Sequence, residues 1–117
     1  MTSPSLTHLV HDFKETTIAR WEAKEKGDTR NGIAYTKQYY SSGREIINKG
    51  ADGVFAMEDL CLNDDERVRL SAACMLIMHK PHLATIVLEY LTEETTGDIS
   101  ARASAALDVW KEGKWLA

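Results

Sequence analysis

The sequence predicts an all-α protein: about six helices packed in pairs as a short helical solenoid. Three observations carry that expectation. Apolar residues recur at spacings of three and four along most of the 117 residues. No segment shows sustained alternation with β-branched residues, so no strand is expected. A stretch near the middle of the chain recurs 33 residues later, at the same place in a helix pair.

The first helix is expected from Ser5, a good N-cap, to about Lys26, where Gly27 can take the left-handed conformation that ends helices. Leu6, Leu9, Val10, Phe13, Thr17 and Trp21 form its inward stripe, opposite His11, Lys14, Glu15 and Glu22. Asp28 caps a second helix over residues 29–48. Its expected inward stripe is Ile33, Thr36, Tyr40, Gly43 and Ile47, widened by Tyr35, Tyr39 and Ile46. Gly43 inside a helix costs about 1 kcal/mol relative to Ala, which points to a close helix–helix approach. Residues 49–53 read as a turn, and lack the Gly-rich pattern of a phosphate-binding loop. Asp52 then caps a short third helix over 54–62, with Val54, Met57, Leu60 and Cys61 inward.

The fourth helix lies within residues 63–79, the stretch on which the chain is organised. It opens on Asp64, Asp65 and Glu66 and is apolar on nearly every side from Leu70 to Met78. Such a helix sits in the middle of a stack. Pro81 disfavours helix at Lys80 and suits the first turn of a fifth helix, to about Glu93. There Ala84, Val87, Leu88 and Leu91 face inward, with Leu83, Ile86 and Tyr90 beside them. Asp98 caps a sixth helix that buries Ile99, Ala103, Ala106, Leu107 and Trp110 and ends at Gly113. The tail at 114–117 is apolar enough to fold back onto it.

Asp65, Arg69, Ser71 and Ala72-Ala73 recur as Asp98, Arg102, Ser104 and Ala105-Ala106. Together with Leu60-x-Leu62-x-Asp64, Val68-Arg69 and Leu76, this resembles the HEAT repeat. Ala101 stands for the valine in the second copy, and Val109 for the leucine. The resemblance covers about 51–113. The whole chain is similar to a family of small bacterial proteins of unknown function with an armadillo-type fold. The resemblance implies a right-handed α-α superhelix and supplies no activity. On this reading residues 1–117 are one domain: a hairpin or cap at 1–50, repeats at 51–80 and 81–113, and a tail. Arg69 and Arg102 each follow an aspartate by four residues, so Asp65, Arg69, Asp98 and Arg102 are expected to form a structural ladder within or between repeats.

Composition narrows the function. A hydrophobic fraction of 44% and a charged fraction of 27% suit a soluble globular chain. The net charge of −4 is unevenly spread. Residues 1–50 carry 8 Lys/Arg against 6 Asp/Glu, and residues 51–117 carry 6 against 12. The acidic second half argues against nucleic acid and suits a basic protein partner. Cys61 and Cys74 have no CxxC spacing and read as buried thiols in a reducing compartment. With no signal-like N-terminus and no long apolar run, a cytoplasmic location is expected, with no membrane.

Candidate chemistry is sparse. His8 and His11 lie one turn apart with Asp12, but a zinc site needs a third protein ligand; His79 and His82 straddle Pro81. Cys74 has no histidine within helical reach to activate it. Asp64, Asp65 and Glu66 suit a helix N-terminus rather than acid–base work. No cofactor, metal or catalytic residue is expected. Tyr35, Tyr39 and Tyr40 with Arg44 form an aromatic cluster beside a cation, a typical interface composition, and Trp115-Leu116 is a second patch.

The expectation is therefore a non-catalytic protein-interaction domain of bacterial type. Its concave face would be lined by the fourth and sixth helices near Arg67, Ser71, Ser104 and Asp108. One concrete version is an immunity-type protein that binds a basic toxin. The alternatives are a small-ligand binder or enzyme using an inter-helix groove, and a homodimer joined through its Tyr or Trp patch.

Overall fold

A computed structural model describes residues 4–115. Among these there are six α-helices and no strand: α1 Leu6–Glu25, α2 Thr29–Asn48, α3 Ala51–Leu60, α4 Glu66–Leu76, α5 Pro81–Glu94 and α6 Gly97–Lys111. The contacts group the chain into two compact units, Met1–Asp59 and Leu60–Ala117.

In the first unit α1 and α2 form a hairpin. The Ser5 hydroxyl accepts the His8 N–H at 3.1 Å and so satisfies one of the donors that the start of α1 leaves open. Gly27 follows α1 at φ +71°, where any side chain would be strained. Asp28 then accepts the Asn31 N–H at 3.2 Å and starts α2. Leu9, Phe13, Thr17 and Trp21 of α1 are buried as their spacing predicts.

The buried face of α2 keeps most of the expected residues and is turned by less than one residue position, or less than about 100°. Ser42, Gly43 and Ile46 are buried and Tyr35 and Tyr39 half-buried, whereas Ile33 and Tyr40 are exposed. Both stripes have helical period, so periodicity alone does not choose between them. Polar and aromatic contacts choose. The Ser42 hydroxyl donates to the Asp12 carboxylate of α1, and Tyr39 packs edge-on against Phe13 with ring centres 5.9 Å apart.

α3 starts at Ala51, so Asp52 lies in its first turn and is not its cap. The expected turn is correspondingly shorter. Gly50, at φ +87°, separates α2 from α3, and its carbonyl accepts the Val54 N–H at 3.0 Å. Gly53 is buried inside α3, where it meets the last turns of α2 backbone to backbone. Met57 is fully buried.

In the second unit α5 packs against both α4 and α6. Asp65 caps α4, accepting the Arg67 N–H at 2.9 Å. The middle of α4 is buried nearly all round, through Val68, Leu70, Ala72, Ala73 and Leu76. The helix stops at Leu76, whose carbonyl accepts from the N–H groups of His79 and Lys80 at 2.9 and 2.8 Å. Met78 falls beyond that stop and is 50% exposed, contrary to the expectation of an apolar run buried to Met78. Ala84, Leu88 and Leu91 of α5 are buried, but Ile86 and Tyr90 face solvent. α6 begins at Gly97 behind Thr96, so Asp98 is a first-turn residue and not the cap. The Ser100 hydroxyl donates to the Thr92 carbonyl at 2.7 Å and ties α6 to α5.

Candidate interaction faces

Four residues were expected on a common face of the fourth and sixth helices, and the second unit gives them different environments. Ser71 is 8% exposed and belongs to the core, so it cannot be a contact residue. Ser104 is half-buried and Asp108 exposed, four residues apart on α6. Arg67 is held by its own helix cap. Its Nε donates to Asp65 Oδ1 at 2.9 Å and its terminal nitrogen to Oδ2 at 2.6 Å. This planar, two-pronged geometry is the strong form of a charged hydrogen bond. It holds the Asp65 carboxyl below its usual range, chiefly through the Arg67 side-chain bond and against the cost of burial.

That pairing changes the expected ladder. Asp65 engages Arg67 instead of Arg69, because the N-cap side chain turns back over the first turn and meets the residue two positions on. The Arg69 Nε is buried and has no hydrogen-bond partner among the described residues. Arg102 of α6 lies near enough to Cys74 for its charge to oppose the effect of burial, which still pushes the thiol up to about 12. A thiol so raised is protonated at neutral pH and is not a nucleophile. Neither Cys61 nor Cys74 is in a disulfide.

The tyrosine cluster of α2 is better defined. Tyr40 stacks on Tyr39 with centres 4.7 Å apart, and the Arg44 guanidinium lies 5.8 Å from the Tyr40 ring. Tyr39 joins this surface to the buried Phe13. Tyr35 sits apart, lining a shallow pocket of about 210 Å³ with Glu15, Ile18 and Glu22 of α1. Trp110 and Trp115 make an edge-on pair 6.4 Å apart beside Met78 and Lys111. Leu116, the other half of that expected patch, lies outside the described residues.

The rotation of α2 exposes residues that sequence reasoning assigned inward or passed over. Ile33 is 55% and Tyr40 44% exposed, and Ile47 is half-buried, each seven residues from the next. Arg30, Lys37 and Arg44 also recur every seven residues, and all three are exposed. They make no ion pair among the described residues. Seven residues are nearly two helical turns, so both sets run along one side of α2 as adjacent lines. The spacing is visible in the sequence, but Ile33 and Tyr40 satisfy an inward stripe equally well. Near the start of this face, Arg20 and Lys24 of α1 join Ile33, Thr36 and Lys37 around a pocket of about 450 Å³.

Comparison with known proteins supplies a fold and no activity. No protein-family profile and no curated protein matches the chain. Among solved structures the chain is similar to the protein RPA1889 from Rhodopseudomonas palustris CGA009. The TM-score is 0.87 at 19% identity, over 97% of this chain and 93% of that one. No helix among the described residues is long and apolar enough to cross a membrane. The chain has an all-α fold shared with a bacterial protein.

Proposed function

We propose that the protein is a non-catalytic protein-interaction module that docks its partner on the outer face of α2. The supporting observation is the pair Ile33 and Tyr40, one heptad apart and about half exposed on a helix whose other side is anchored in the α1–α2 hairpin. Large apolar and aromatic side chains that recur on one exposed helix face suit a partner helix or strand. A HEAT- or armadillo-type arrangement of the helix pairs in a reducing cytoplasm completes the reading. Such arrays present helix faces to other proteins. The acidic charge of residues 51–117 leaves room for a basic partner, as an immunity-type protein would have, but that partner would dock away from the basic α2 face.

The test is affinity capture from native lysate with wild type and with the double variant Ile33→Asp/Tyr40→Asp, read by mass spectrometry. The reading expects a stoichiometric partner that wild type retains and the variant loses. Equal capture by both, with circular dichroism showing both folded, removes the α2 face from the function.

A further inference from the structure

We propose that the occupant of the α2 face is an acidic amphipathic helix, lying along α2 with its apolar seam on Ile33 and Tyr40 and its carboxylates against Arg30, Lys37 and Arg44. The inference rests on the docking role proposed above and adds the chemistry of the partner.

Three features of the face select such a partner. The first is the register. Ile33, Tyr40 and Ile47 repeat every seven residues, and Arg30, Lys37 and Arg44 repeat every seven on one flank of them. An apolar line flanked by charges at heptad spacing is the pattern by which one helix packs beside another. Fourteen residues from Ile33 to Ile47 span about 21 Å of helix axis, enough for two heptads of a partner. The second is the sign. α2 carries three cations and one acidic residue, Glu45, and all three cations lie on this flank. An ion pair made across a helix–helix seam sets partner choice and orientation more than affinity, so the charges select acidic positions in the partner. The third is the continuation onto α1. The 450 Å³ pocket at the start of the face adds the side chains of Arg20 and Lys24, each of which also lies about 5.5 Å or less from the Trp21 ring centre, at 5.5 and 5.4 Å. The Asp28 carboxylate lines the same pocket, so the three heptad-spaced cations of α2 carry the selection and Arg20 extends it.

The same features disfavour other occupants. Two copies of α2 packed antiparallel through this face would oppose Arg30, Lys37 and Arg44 with their own counterparts, and like charges across a seam are repulsive. A nucleic acid would satisfy the cations, but would leave the aliphatic surface of Ile33 and Ile47 without a complementary group. Phosphate contacts alone carry no use for a heptad-spaced apolar line.

A display library of helical peptides tests both levels. Every member carries Leu at heptad seam positions, and each flanking position is randomised among Glu, Gln and Lys. The full-length protein is the bait, as wild type, as Ile33→Asp/Tyr40→Asp, and as Arg30→Glu/Lys37→Glu/Arg44→Glu. All substituted residues are exposed or half-buried, and circular dichroism checks that each bait is folded. The expected result is enrichment of Glu-flanked helices on wild type, loss of enrichment on the seam variant, and a switch to Lys-flanked helices on the charge-reversed variant. A selected Glu-flanked peptide should bind the charge-reversed protein roughly tenfold or more weakly, and bind wild type more weakly as salt rises. Enrichment that depends on Ile33 and Tyr40 but shows no preference for Glu overturns the acidic partner and leaves the docking face standing. No enrichment that depends on either variant overturns both. A single-stranded RNA 20-mer bound by wild type and lost in the charge-reversed variant, with no helix enriched, would reassign the face to nucleic acid.

Discussion

Gly53 of α3 lies so close to Ile46 of α2 that a Cβ at position 53 would fall inside the carbonyl oxygen of Ile46, with the carbonyl carbon at 2.8 Å and the Lys49 Cβ at 3.1 Å. The obstacle is backbone, which cannot swing aside as a side-chain tip can. Glycine therefore stands at the tight junction of α2 and α3 because of space, although it weakens helix α3 by about 1 kcal/mol. Gly53→Ala should destabilise the protein by about 1–3 kcal/mol, the usual cost of overpacking. Urea melts measure it, and an unchanged or raised midpoint would refute the close approach.

The core of the second unit makes a sharper contrast. Leu76 is fully buried at the end of α4, while Met78, two residues on, is half exposed. Leu76→Ala should cost ~2–5 kcal/mol through lost burial and the cavity left behind. Met78→Ala should change stability by no more than about 0.5 kcal/mol. Equal losses at the two positions in denaturant melts would show that the helix does not end where it does here.

Asp65 supplies a cap and a pH dependence. Asp65→Ala removes the N-cap acceptor and frees Arg67, and should cost ~0.5–2 kcal/mol at pH 7. Because the folded carboxyl is held below its usual range, this contribution is present above the unfolded value near 4. It is lost as pH falls through the folded pKa. The stability difference between wild type and Asp65→Ala should thus shrink below about pH 4. A difference that stays constant from pH 7 to pH 2 would contradict the Arg67 bond as its source.

Cys74 has the opposite sign. Burial raises its folded pKa to about 12 from an ordinary 9.0, so the folded state keeps a proton that the unfolded state gives up. Its contribution is complete below pH 9.0, and stability falls as pH rises from there towards about 12. Cys74 is half-buried, so its protonation rather than full enclosure should slow its reaction: at pH 8 the native thiol should react with iodoacetamide more slowly than in denaturant, followed by mass spectrometry of the peptide. Native labelling as fast as that in denaturant would show that the folded thiol is not held protonated.

The exposed seam of α2 should carry little of the stability. Tyr40→Ala should lower it by about 1 kcal/mol or less, since the ring is 44% exposed and stacks on Tyr39 beside Arg44. Phe13→Ala, in the core behind Tyr39, should cost about 3–5 kcal/mol. Thermal melts of the two variants distinguish a surface aromatic from a structural one.

Helix content and most boundaries could be read from the chain because their causes are local. Ser5, Asp28 and Asp65 cap the turns that follow them, Gly27 ends α1, and Pro81 opens α5. Each acts within four residues, through hydrogen bonds and backbone geometry that the sequence carries with it. Composition and period also marked α4 as a buried helix. The tertiary structure decided where the buried side of α2 ends. Ile33 and Tyr40 satisfy the helical period as well as the buried residues do, and the limit is set by Asp12 meeting Ser42 and Phe13 meeting Tyr39, contacts 26 or more residues apart in sequence. The fate of Arg67, Gly53 and the exposed Ile33–Tyr40 face was likewise set by packing. Periodicity reports that a helix has an apolar side, and only the neighbouring helix selects the side that is buried.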